Sequence, residues 1–75
     1  MFDPAHLRTF LALARTLNFT QAARQLGVSQ PTVSAHVRAL EEAASRVLVV
    51  RDSRRVALTD NGEATAGFAR SILAA

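Results

Sequence analysis

Apolar residues recur along the first part of the chain at Leu7, Phe10, Leu11, Ala14 and Leu17, with polar residues between them. That spacing of i, i+3, i+4, i+7 and i+10 predicts an amphipathic helix with one buried stripe. Asp3 is placed to cap it and Pro4 to open it, with Phe2 and Leu7 at staple spacing. The pattern changes at FTQAARQLGVSQPTVSAHVRALEE, residues 19–42. A short helix is expected over 21–26, with Thr20 as its N-cap and Ala22, Ala23 and Leu26 inward. Gly27 follows where a helix end calls for positive φ. Ser29 then caps a second helix over 30–44, and Pro31 falls in its first turn, where a missing N–H costs nothing. Val28 and Val33 flank that cap at staple spacing. Val33, Val37, Leu40 and Ala44 make its inner stripe. Two short helices around so sharp a turn describe a helix-turn-helix, whose second helix can enter the DNA major groove.

The rest of the pattern is shorter in period. Stretches 47–51 and 55–58 read as two strands around the turn Asp52-Ser53-Arg54, which lacks glycine and predicts a turn looser than a two-residue hairpin. Their Val and Leu side chains are expected to close the open end of a three-helix core. After them Thr59 or Asp60 caps a last helix, and Asp60 with Glu63 has capping-box spacing. Ala64, Phe68, Ile72 and Ala75 form its stripe, with Leu73 alongside; Phe68 and Ile72 have no evident partner within the chain. The fold class is therefore mainly α: a winged helix-turn-helix with a three-helix core, a two-stranded wing and a C-terminal linker helix. The expected division is a DNA-binding unit over 1–58 and a linker or dimerisation helix beginning at 59–75.

Composition narrows the function. The 75 residues allow one small domain, which buries only about 60% of its unfolded surface and often leans on a partner subunit. There are no cysteines, hence no disulfide and no thiolate metal site, which fits a reducing cytoplasm. The N-terminus has an acidic residue and no long apolar run, unlike a secretory signal. The densest apolar run, 47–50, is far too short to span a membrane. Net charge is +3, and all nine basic residues are arginine. Their placement says more than their number: Arg46, Arg51, Arg54 and Arg55 crowd one stretch opposed only by Asp52, the usual footprint of a nucleic-acid binder.

No catalytic constellation is present. The two histidines, His6 and His36, have no partners at ligand or triad spacing, and no glycine loop could cradle a phosphate. Glu41 and Glu42 are read as helix-surface charges, with Arg38–Glu42 and Glu42–Arg46 at i, i+4. The chain is thus read as a non-enzyme without cofactor or metal. The second motif helix instead presents Gln30, Pro31, Thr32, Ser34 and Ala35 outward. Small polar side chains let a helix approach base edges: Gln pairs with adenine, Ser and Thr reach base or phosphate, and methyls touch thymine. The helix start also offers free N–H groups to a phosphate. The alternative is a helix-turn-helix used for protein interaction or dimerisation.

The same residues carry a resemblance. FTQAARQLGVSQPTVSAHVRALEE, preceded by LRTFLALA and followed by VVRDSRRVALTDNGE, resembles the N-terminal DNA-binding domain of the LysR-type transcriptional regulators over nearly the whole chain. Ala43, Ala44 and Ser45 stand where that family usually has Glu-Leu-Gly, Leu48 and Val49 where it has Leu-Phe, and Ala35 where it often has Arg. The resemblance implies a bacterial, cytoplasmic regulator that binds an interrupted palindrome in double-stranded DNA. It implies a recognition helix over 30–44 in the major groove and a wing over 47–58 on the backbone or minor groove. The DNA-contacting set so implied is Arg8, Thr20, Ser29, Gln30, Pro31, Thr32, Ser34, Ala35, Arg38, Arg51, Arg54 and Arg55. The last helix would pair two copies through Ala64, Phe68, Ile72 and Leu73, weakly in so short a piece. In that family it leads to a ligand-sensing domain, so the chain resembles a fragment or stand-alone piece of a longer regulator.

Overall fold

Helix α1 spans Pro4–Thr16. Asp3 caps it, its carboxylate accepting the Ala5 N–H at 2.8 Å. Leu7, Phe10, Leu11 and Leu13 of this helix are buried. Leu17, expected in the stripe, is not: it lies beyond the last turn in the left-handed region (φ 50°) and stays 44% exposed. These features belong to a computed structural model that describes residues 2–74.

Helix α2 is Phe19–Leu26, two residues longer than expected. Its cap is Asn18, whose side chain accepts the Gln21 N–H at 2.9 Å, so Thr20 lies inside the first turn. The start moves because Phe19 is buried and the helix must begin there to seat the ring. Gly27 ends α2 with φ 71°, and the Val28 N–H reaches back to the Ala23 carbonyl at 3.0 Å, closing a Schellman motif.

Helix α3 covers Gln30–Ala44, as expected, with Ser29 accepting the Thr32 N–H at 3.2 Å. Val33, Val37 and Leu40 are buried against α1 and α2, while Ala44 is only half-buried. The end of α3 repeats the Schellman arrangement, Arg46 N–H to Glu41 carbonyl at 3.2 Å, but with Ser45 at φ 53° instead of a glycine.

Strands β1 (Val49–Arg51) and β2 (Val56–Leu58) pair antiparallel, Val49 with Leu58 and Arg51 with Val56. Both are shorter than expected: β1 because Val47 and Leu48 bond elsewhere, β2 because Arg55 belongs to the turn, its carbonyl accepting the Asp52 N–H at 3.1 Å. The Val47 carbonyl accepts the Thr59 hydroxyl at 2.6 Å, and the Leu48 carbonyl accepts the Thr59 N–H at 3.0 Å. Of the apolar residues expected to close the core, Leu48 is fully buried and Val49 partly, while Val47 and Val50 face outward. Asp52 builds the turn, its carboxylate accepting the N–H groups of Arg54 and Arg55 at 2.8 and 3.0 Å.

Helix α4 is Asp60–Leu73, capped by Thr59, which accepts the Gly62 N–H at 3.0 Å. With Thr59 as cap, Gly62 occupies the third helical position, so Asp60 and Glu63 form no capping box. They still place negative charge in the first turn, where the helix dipole favours it. The buried face of α4 is Gly62, Ala66 and Ala69, with Leu73 partly buried against the core. A Cβ on Gly62 would land on the Leu48 carbonyl, so only glycine admits this approach. The expected stripe lies on the other face, Phe68 46% and Ile72 45% exposed. Phe68 nevertheless has an intramolecular neighbour, the Phe2 ring, edge-on at 6.0 Å. Ala75 lies outside the described residues. Among those residues no helix is long and apolar enough to cross a membrane.

Candidate nucleic-acid interface

The start of α3 is open to solvent. Gln30, Pro31, Ala35 and Arg38 are exposed, and Ser34 and Thr32 are half-buried. Burial of Val33, Val37 and Leu40 on the opposite side forces this face outward, since a helix cannot turn one stripe inward without presenting the other. Ser29 and Thr32 are already engaged with each other, their hydroxyls 2.9 Å apart, which orders the helix start.

The wing meets this face. Ser34, Arg38 and Glu41 of α3, Phe19 of α2, and Val49 and Arg51 of β1 line one shallow open pocket. Arg51 is held there with its guanidinium 4.4 Å from the centroid of the Phe19 ring. Such a contact fixes a cation on an aromatic face while leaving its N–H edge free. Arg54 and Arg55 are exposed in the turn that Asp52 organises. Arg8 is exposed on α1, and Thr20 is exposed in the first turn of α2. Arg46 is exposed behind α3, its guanidinium donating to the Ser45 carbonyl at 3.0 Å. Of the four residues assigned to pairing, Ala64, Phe68 and Ile72 are exposed, while Leu73 faces inward.

Three residues of this region carry more than their sequence positions suggest. Asn18 caps α2, Phe19 seats Arg51, and Glu41 holds the wing. The Glu41 Oε2 accepts the N–H groups of Leu48 and Val49 at 2.9 and 3.3 Å. The i, i+4 ion pairs expected of Arg38–Glu42 and Glu42–Arg46 do not form; His6 Nε2 instead lies 3.7 Å from the Asp3 carboxylate. No motif marks Glu41, because its partners are backbone amides that any residue carries. Phe19 had a signal, a large aromatic residue beside a cap.

The histidines also come together. The His6 ring lies 4.7 Å from that of His36, whose Nδ1 is 2.8 Å from the hydroxyl of the buried Thr9. Sequence separation hid this neighbourhood. No group of three or more potential metal ligands occurs among the described residues.

Three helices, a two-stranded antiparallel wing and a fourth helix packed on the first make this a winged helix-turn-helix domain. A family model described as bacterial regulatory helix-turn-helix protein, lysR family, matches residues 4–63, and the chain belongs to that family. It is 50% identical over 68 residues to the Hca operon transcriptional activator HcaR of Escherichia coli (strain K12), covering 91% of this chain and 23% of that protein. The HTH-type transcriptional activator IlvY of Salmonella typhimurium is 42% identical over 71 residues, and the chain spans 24% of it. Among solved structures, the BenM DNA-binding domain in complex with catB site 1 DNA superposes with a TM-score of 0.92 at 34% identity, covering 97% of this chain and 82% of that one. The CbnR DNA-binding domain–DNA complex gives 0.92 at 38% identity, covering 96% and 83%.

Proposed function

We propose that this chain binds double-stranded DNA sequence-specifically, as the DNA-binding part of a bacterial LysR-type transcriptional regulator acting in the cytoplasm. The observation that carries the reading is the pocket where the exposed face of α3 meets an arginine held ready on the wing. Two related domains were solved as DNA complexes, which supports the same reading. In this reading α3 enters the major groove and the wing lies over the adjacent backbone or minor groove. Gln30 and Ser34 read base edges, and Pro31 and Ala35 pack close to them. Ser29, Thr32 and Arg38 hold phosphates, helped by the free N–H groups of the α3 start. Thr20 and Arg8 flank them, and Arg51, Arg54 and Arg55 contribute from the wing.

Residues 1–58 form the DNA-binding unit, and 59–75 begin the helix that pairs two copies through Ala64, Phe68 and Ile72, Leu73 being taken up by the core. A two-fold pair reads two inverted half-sites, so the operator is an interrupted palindrome. The test is selection of bound sequences from random duplex DNA at two salt concentrations. The expected outcome is one consensus with inverted arms and an affinity that falls linearly in log–log against salt. Equal affinity for every duplex, or salt-independent binding, would overturn the proposal.

A further inference from the structure

We propose that Glu41 is a positioning residue for DNA binding, which fixes the wing relative to the reading face of α3; this rests on the function proposed above. Glu41 stands on α3 one turn beyond Val37 and lines the same pocket as Ser34, Arg38 and Arg51. One carboxylate oxygen accepts both amides at the root of the wing, Leu48 at 2.9 Å and Val49 at 3.3 Å. Leu48 is fully buried, so its amide has no recourse to water if that oxygen is removed. The other side of the root is tied to the start of α4: the Leu48 carbonyl accepts the Thr59 N–H at 3.0 Å, and the Val47 carbonyl accepts the Thr59 hydroxyl. The wing root is therefore held between two helices, with Glu41 as its tether to α3. Beyond the root the wing has its short two-stranded ladder, partial burial of Val49, Val56 and Leu58 against the core, the Asp52 turn and the Arg51–Phe19 contact. Arg51 is held separately on the Phe19 ring, whereas the direction in which Arg54 and Arg55 project is set at this joint. Glu41 itself donates nothing to a phosphate, being an acceptor only. Its effect on binding passes through the arginines.

That indirect role has a measurable mark. Loss of folded protein multiplies every binding constant by the same factor and leaves the salt slope unchanged. Displacing arginines from phosphates lowers the slope itself. The experiment compares wild type, Glu41→Ala, Glu41→Gln and Arg54→Ala/Arg55→Ala on the selected duplex, with amide exchange at Leu48 and Val49 as an independent readout. Glu41→Ala is expected to lose protection at both amides and to flatten the salt slope by up to about two units, as the double arginine variant does. Combining all three changes should flatten it no further, because the effects share one route. Glu41→Gln keeps an acceptor oxygen and is expected to restore most of the slope. Glu41→Asp, whose carboxylate is drawn back by one methylene, carries the same comparison should Glu41→Ala unfold. A wild-type slope in the Ala or Asp variant would overturn the proposal, as would a flattened slope with full protection of Leu48 and Val49. Wild-type protein that fails to bind DNA defeats the functional reading instead, a separate outcome.

Discussion

Ser45 ends α3 in the left-handed region with φ 53°, where the resembled family usually places glycine. An L residue with a Cβ pays roughly 1–2 kcal/mol there. Ser45→Gly is therefore expected to stabilise the domain by about 1 kcal/mol in urea or thermal unfolding, even though glycine loosens the unfolded chain. An unchanged or lower midpoint would count against strain at this residue. Gly62 is the opposite case. Its missing Cβ is what lets the first turn of α4 rest on the Leu48 carbonyl, so Gly62→Ala is expected to destabilise by roughly 1–3 kcal/mol through backbone displacement. A midpoint within error of wild type would show that the helix can retreat freely. On the reading face, Gln30→Ala is expected to cost about 1–3 kcal/mol of binding and to relax preference at one base pair. An unchanged consensus would reduce Gln30 to a helix-start residue. Caps with an unambiguous neighbourhood were legible: Asp3, Gly27 and Ser29 each stand where local chemistry leaves one choice. Thr20 was not, because Asn18 two residues earlier is an equally good cap. The decision was made by burial of Phe19, a tertiary fact.

At the scale of elements, α3 was readable in full because its apolar stripe and its cap agree on one register. The wing was readable as two strands around a turn, but its ends were not. Strand length is set by which backbone groups remain free to pair, and Thr59 takes the carbonyls of Val47 and Leu48. Glu41 escaped for the same reason: charge at i, i+4 from arginine is visible in a sequence, whereas a bond to amides seven and eight residues on is not. The wing's own contribution can be isolated. Arg54 and Arg55 are exposed at its tip, on a turn that Asp52 keeps in shape. A narrow A·T-rich minor groove has enhanced negative potential and attracts arginine without a base-specific bond. Arg54→Ala/Arg55→Ala is thus expected to flatten the salt slope by up to about two units and to erase preference for A·T-rich flanks, while the bases read by Gln30 stay the same. If the slope persists with the fold intact, the two arginines serve solubility alone.

For the molecule as a whole, α4 decides what is inside and which apolar side chains stay exposed. Its inner face is built from Gly62, Ala66 and Ala69, residues too small to dominate a hydrophobic pattern. The larger residues Phe68 and Ile72 therefore carried the pattern, and they lie on the opposite face. Close packing of small residues brings α4 onto α1 and makes it part of the core, yet leaves two large apolar side chains about half exposed. Phe2 stands edge-on to Phe68, and Ile72 is exposed to the same degree. Removing such surface from water favours association in proportion to area. The helix is only 14 residues long, so pairing of this chain alone should be weak. Sedimentation over a range of concentrations is expected to show a weak dimer for wild type, and a shift toward monomer for Phe68→Ala. That variant also loses the contact with Phe2, so Ile72→Ala is the cleaner partner experiment, its side chain lying on the same outer face. Both variants should weaken association while the unfolding midpoint of Ile72→Ala stays near wild type. Identical concentration dependence in all three proteins would exclude this face as the pairing surface, and the proposed binding to inverted half-sites would then need another contact between the two copies.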